Sequence, residues 1–152
     1  MHTNKHCRLC NSLSLFKLVD LPKTTIADYF SNSPVEEVNK YPIDIYYCND
    51  CAHVQLVDVI DSKILFHDKF TYMPSKNEKL LNHFNDYIKY AKKYLKSPGG
   101  ITIDIGSNDG LFLSLVKEKT NNIVLGIDPA ELPANHAIKN GINTWVEFFS
   151  CD

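Results

Sequence analysis

Two short cysteine pairs, Cys7-Arg8-Leu9-Cys10 and Cys48-Asn49-Asp50-Cys51, constrain this chain more than any other feature. Each Cys-x-x-Cys lets two thiolates reach one ion from a tight turn. Two such turns complete the tetrahedral sulfur cage that Zn²⁺ prefers, with no position left for water, so the site they predict is structural. A thioredoxin-like redox pair needs one Cys-x-x-Cys beside a βαβ pattern, not two without one. His6 and His53 flank the pairs and offer substitute ligands, but four thiolates already fill the shell. Cys151 reads as a free thiol.

Between the pairs, residues 13–47 are irregular, with alternation at Ile43, Ile45 and Tyr47 predicting a strand that feeds the second turn. So few large apolar groups imply that this part draws folding free energy from the metal. A zinc ribbon gripping nucleic acid would need a cationic surface. Residues 7–51 instead carry four basic side chains (Arg8, Lys17, Lys23, Lys40) and six acidic ones (Asp20, Asp28, Glu36, Glu37, Asp44, Asp50). The whole chain has a net charge of −2, which also argues against a nucleic-acid partner. No uncharged apolar run approaches the roughly 20 residues of a membrane span. Five cysteines without a leading apolar segment point to a reducing, cytoplasmic setting.

A second organising stretch is Ile101-Thr102-Ile103-Asp104-Ile105-Gly106-Ser107-Asn108-Asp109-Gly110. The alternate isoleucines, preceded by Ser97-Pro98-Gly99-Gly100, predict a buried parallel strand that breaks into a glycine-bracketed loop. Leu111, Phe112, Leu115 and Val116 then fall on one helical face, with Asn108 or Asp109 placed as N-cap. A second strand from Asn122 ends at Asp128, about 20 positions beyond the loop, where a carboxylate meets ribose hydroxyls in nucleotide-binding βαβ units. A nicotinamide dehydrogenase would want Gly-x-Gly-x-x-Gly, and Asn108 stands at its second glycine. The missing glycine removes room for a pyrophosphate against the backbone, and the loop paired with Asp128 points to an adenosine-containing cofactor.

Val54-Gln55-Leu56-Val57 reads as a strand, and an aromatic connector runs from Phe66 to Pro74. Ser75-Lys76-Asn77-Glu78 has the form of a capping box, followed by Leu80, Leu81, Phe84, Ile88, Ala91 and Leu95 at helical spacing, which predicts one helix over 76–95. Tyr87, Tyr90 and Tyr94 border its buried stripe. A further helix is expected over 131–140, with Pro133 in its first turn and Gly141 at C′, and then a strand over 142–146. The organisation expected is therefore α/β: a zinc-binding module (1–74), a linking helix (75–99), and the first half of a Rossmann-like, doubly wound sheet (100–152) whose exposed edge invites self-association.

The cysteine pairs, Val54-Gln55-Leu56, Tyr72 ahead of a capped helix, the Asp104 to Gly110 stretch and Gly126-Ile127-Asp128-Pro129 together resemble the S-adenosylmethionine-dependent sugar C-methyltransferases, which carry an N-terminal zinc-binding domain. Leu21 to Phe30 is similar to a degenerate form of that family's Pro-Leu-Ala segment. The resemblance implies a class I methyltransferase fold and S-adenosylmethionine as cofactor, a ligand without phosphate that tolerates Asn108, with Asp104 toward its ammonium, Gly106, Ser107, Asn108, Asp109 and Gly110 around its amino-acid moiety, Asp128 on the ribose and Pro129 in the same cofactor site. It implies methyl transfer to a carbon of a nucleotide-linked ketosugar through an enolate, with Tyr72 as a phenol facing the sugar. It also implies that these residues form only the N-terminal part of such an enzyme and are inactive alone. The competing expectation is a non-catalytic, zinc-dependent interaction module.

Overall fold

The computed structural model describes residues 1–26, 33, 38–66, 70–95 and 99–150. Cys151, residues 27–30 of the Leu21 to Phe30 segment and the Ser97-Pro98 turn lie outside the described residues. The chain divides into two compact units, Met1–Leu65 and Phe66–Asp152.

In the first unit, β2 (Leu15–Val19), β3 (Ile45–Cys48) and β4 (Val54–Leu56) form an antiparallel sheet in the order β2-β3-β4. β1 (His2–Thr3) pairs with β5 (Asp58–Val59), and the Thr3 hydroxyl donates to Asp58 Oδ1 at 2.6 Å. A single helical turn, α1 (Ser62–Leu65), follows. Phe16 sits opposite Tyr47 with ring centroids 5.4 Å apart, a cross-strand aromatic pair of the kind that stabilises small sheets. Lys17 bridges Asp20 at 2.8 Å and Asp44 at 2.6 Å, and Asp44 Oδ1 also accepts the Leu21 N–H, so both ends of the long β2–β3 connection are held. Among the described residues the buried apolar side chains of this unit are Cys7, Cys48 and Val57. That is too little apolar surface to offset chain entropy without a staple.

The second unit opens with a 3₁₀ turn (Pro74–Lys76) and α2 (Glu78–Ala91). β6 (Ile101–Ile105), α3 (Leu111–Thr120), β7 (Ile123–Ile127), α4 (Glu131–Lys139) and β8 (Thr144–Trp145) alternate, and the strands pair in parallel in the order β6-β7-β8. Ile88 of α2 joins Leu111, Leu113, Leu115 and Val116 of α3, Val124, Ala137 and Ile142 in one core. The mixed α/β class is the one expected; several details differ. The N-cap of α2 is Asn77, not Ser75: its side chain accepts the N–H groups of Lys79 and Leu80, because the 3₁₀ turn takes Ser75 out of the capping position. That helix ends at Ala91, short of Leu95. α3 is capped by Gly110 without a side-chain bond, although Asp109 Oδ1 still accepts the Leu111 N–H at 3.3 Å. α4 closes in a Schellman turn, with Gly141 N–H on Ile138 O and Ile142 N–H on Ala137 O, both at 3.0 Å. The larger correction concerns β6. Ile101, Ile103 and Ile105 are exposed rather than buried, because the core lies on the opposite face of the strand. Ile142, expected beside an exposed edge, is instead buried in the core.

Candidate metal centre and cofactor loop

The two cysteine turns are built alike. The N–H of Asn11 donates to Cys7 O and that of Ala52 to Cys48 O, each at 2.9 Å; Cys7 N–H donates to Ser12 O and Cys48 N–H to His53 O. Asn11 and Ala52, the residues after each pair, both take left-handed φ, 62° and 60°, which turns the chain back over the sulfurs. The second turn is the connection between β3 and β4, and the first is tied to it through Ser12 Oγ on Asp50 Oδ2 at 2.6 Å and Arg8 N–H on Gln55 Oε1 at 3.0 Å. The four sulfurs of Cys7, Cys10, Cys48 and Cys51 lie within 4.8 Å of one another, with Cys7–Cys51 and Cys10–Cys48 at 3.6 Å. A tetrahedron of Zn–S bonds of about 2.3 Å places its sulfurs roughly 3.8 Å apart, so the cluster fits the ion.

Electrostatics point the same way. The backbone N–H of Cys10, helped by the Leu9 N–H and the Cys51 thiol, draws Cys7 down to about 6 against its burial. Cys51 stands at about 12: the His53 backbone N–H works to lower it, but burial and the sulfurs of Cys10, Cys7 and Cys48 outweigh that. One thiolate forms readily and discourages its neighbours, which is the behaviour of a sulfur cage that needs a cation before all four can ionise. The four-cysteine cluster supports zinc binding, and four thiolates leave the ion no open position for catalysis.

In the second unit, the loop after β6 is held by bonds from β7. Gly106 N–H reaches Ile127 O at 2.8 Å, and Asn108 N–H reaches Asp128 Oδ2 at 2.7 Å while Asp128 Oδ1 takes the Ala130 N–H at 2.8 Å. Asp109 is buried, its second oxygen accepting the Ser75 N–H at 2.9 Å. Gly126 is forced by Ser107: a Cβ there would overlap Ser107 Oγ and stand 3.0 Å from Thr144 Oγ1. Gly106, with φ of 80°, has nothing within 4 Å of where a Cβ would be, so bare backbone faces open space.

Two clefts flank that backbone, and both include Gly106 and Asn108. One, of about 280 Å³, joins Asp104 to Phe84, Tyr87, Phe112 and Pro74. Burial, with the Asp128 charge adding to it, holds the Asp104 carboxyl above the usual carboxylate range. The other, of about 390 Å³, joins Asp128 and Pro129 to Phe66, Phe70, Phe148, Phe149 and Glu147. Phe66 lies edge-on to Phe148 with centroids 6.4 Å apart. Tyr72 is half exposed and lines neither cleft. The aromatic walls and Glu147 were not anticipated from the sequence. The available signal was position: Glu147 follows β8 where Gly106 follows β6 and Asp128 follows β7, at the carboxyl ends of parallel strands where α/β sheets bind ligands.

Among the described residues no helix is long and apolar enough to cross a membrane. Comparison with curated proteins gives no match. Residues 7–66 match the methyltransferase-associated family model described as "Putative zinc binding domain", and its span contains all four clustered cysteines.

Proposed function

We propose that the second unit is a Rossmann-like half that binds S-adenosylmethionine across the Gly106 backbone, as part of a methyltransferase whose N-terminal unit is stapled by zinc. The observation that carries this reading is the pair of clefts sharing Gly106 and Asn108, one ending in Asp104 and the other in Asp128 and Glu147. A ligand with an ammonium at one end and a ribose-linked base at the other matches that spacing of charge and apolar wall. When bound, S-adenosylmethionine supplies a methyl group on an electrophilic sulfonium. Asp104 balances a positive charge from inside a partly dry cleft, where the interaction is stronger than in water. Asp128 keeps lone pairs for hydroxyl donors beyond the two N–H groups it already accepts. Phe66 and Phe148 offer flat apolar surface to a base, and Glu147 offers an acceptor at its rim.

The resemblance extends the reading to a nucleotide-linked ketosugar as methyl acceptor, activated as an enolate, because a sugar carbon becomes nucleophilic only once the proton α to the ketone is removed. A role for Tyr72 toward that sugar rests on the same resemblance.

Titration calorimetry of the zinc-loaded chain with S-adenosylhomocysteine tests the binding reading. Asp128→Ala is a poor probe because it also unties the loop. Asp104→Asn and Phe148→Ala change the clefts without breaking any loop hydrogen bond, and each should weaken binding about tenfold, near 1.4 kcal/mol, while the chain stays folded by circular dichroism. No heat at millimolar ligand, or unaltered affinity in both variants, would sink it.

A further inference from the structure

The cleft that ends at Asp104 brings negative charge and aromatic rings together. Phe84 and Tyr87 stand three residues apart on α2 and so share a face of that helix, while Phe112 lies in the first turn of α3, and all three line the cleft. Phe112 is the middle of the group, its ring centroid 6.0 Å from that of Phe84 and 5.6 Å from that of Tyr87. The rings are tilted by 46° and 44° rather than stacked, so they do not cover one another face to face. Phe84 and Phe112 are anchored by packing against the core, whereas Tyr87 is half exposed. Among the described residues no lysine, arginine or histidine lines this cleft, and of its two acids Asp109 already gives both oxygens to the N–H groups of Ser75 and Leu111. What remains is the Asp104 carboxyl and a wall of electron-rich rings, a combination that attracts a cation.

We propose, resting on the S-adenosylmethionine reading above, that Phe84, Tyr87 and Phe112 form an onium subsite that holds the sulfonium of the methyl donor and sets the preference for the donor over its demethylated product. The sulfonium is a permanent cation, and a short dimethylene link joins it to the carbon that bears the ammonium, so one cleft of about 280 Å³ receives both charges, the ammonium at Asp104 and the sulfonium at the rings. When the methyl group leaves, the S–CH3 bond breaks, its electron pair stays on sulfur, and a neutral thioether remains. The attraction between ring faces and cation is lost at that moment. The aromatic group therefore biases the cleft toward S-adenosylmethionine and against S-adenosylhomocysteine, while ammonium, ribose and base contribute alike to both.

Calorimetry of the zinc-loaded chain with each ligand in turn gives the ratio of the two dissociation constants. That ratio isolates the sulfonium, because the ligands differ only in the methyl group and its charge. Tyr87→Leu and Phe112→Leu should each shift the ratio about fivefold against S-adenosylmethionine, whatever affinity S-adenosylhomocysteine loses, since a cation over a ring is worth roughly that factor. Tyr87→Phe keeps a ring face and should keep the ratio. Circular dichroism checks that each variant is folded, and the half-exposed Tyr87 decides the matter alone should Phe112→Leu unfold. An unchanged ratio in every folded leucine variant, or a ratio moved as far by Tyr87→Phe as by Tyr87→Leu, would overturn the subsite and leave the binding reading intact. Binding of neither ligand to the unsubstituted chain would overturn both.

Discussion

Asp104, Asp109 and Asp128 lie within one short loop's reach and are held in three different ways. Asp109 is buried and gives both oxygens to backbone N–H groups, so it fixes the loop against the 3₁₀ turn at Ser75. Asp128 ties Asn108 and Ala130. Asp104 faces a cleft and is held above the usual carboxylate range by burial first and by Asp128 second. An acid raised in the folded state binds its proton earlier on acidification than the exposed value of about 3.9. A cationic ligand group therefore loses its counter-charge as pH falls through the raised value. The fold itself gains stability in that same window, since burial favours the protonated form. We expect affinity for S-adenosylmethionine to fall on acidification at a pH above the ordinary carboxylate range, and Asp104→Asn to flatten that dependence. Equal pH profiles for both proteins, measured by calorimetry, would remove Asp104 from the site.

At the scale of elements, α2 shows how a neighbouring turn decides which residue caps a helix. Ser75-x-x-Glu78 has the right spacing, but Pro74 starts a 3₁₀ turn through Lys76, and Asn77 then meets the first free N–H groups of the helix. Asn77→Ala should cost about 1 kcal/mol in the urea unfolding of the second unit. Ser75→Ala should cost far less, because its bond to Asp109 uses the backbone N–H. A larger loss at Ser75 than at Asn77 would contradict the capping assignment. The cysteine turns make a related point, since Asn11-Ser12 follows one and Ala52-His53 the other, yet the backbone bonds repeat. Geometry there follows the position of the sulfurs, not the identity of the flanking residues.

Across the whole molecule the two units rest on different physics. The first has few buried apolar side chains among its described residues, two of them cysteines of the cluster, so metal binding and folding are one event. The second has an eight-residue core spanning α2, α3, β7 and α4. Chelation at neutral pH should therefore abolish amide protection in β2, β3 and β4 while β6 and β7 keep theirs, and Cys48→Ser should reproduce that pattern in hydrogen exchange. Loss of protection in both units together would mean that they fold as one.

Features encoded within a few consecutive residues were legible in advance. The spacing of each cysteine pair, the glycines that bracket residues 106–110, Gly141 at the end of α4 and the alternation of strands with helices depend on local backbone chemistry, and that chemistry is written where it acts. Two features were not legible, because both depend on partners far along the chain. Ile101, Ile103 and Ile105 carry the pattern of a buried strand, and only the placement of α3 and α4 on one side leaves them in solvent. Phe66 and Phe148 are ordinary aromatics in separate segments until the fold sets them edge to edge beside Asp128. Local preference determined which elements form. Which faces meet, and therefore where clefts and bare surfaces lie, was decided by tertiary packing, because burial is a property of neighbours that no short window of sequence contains.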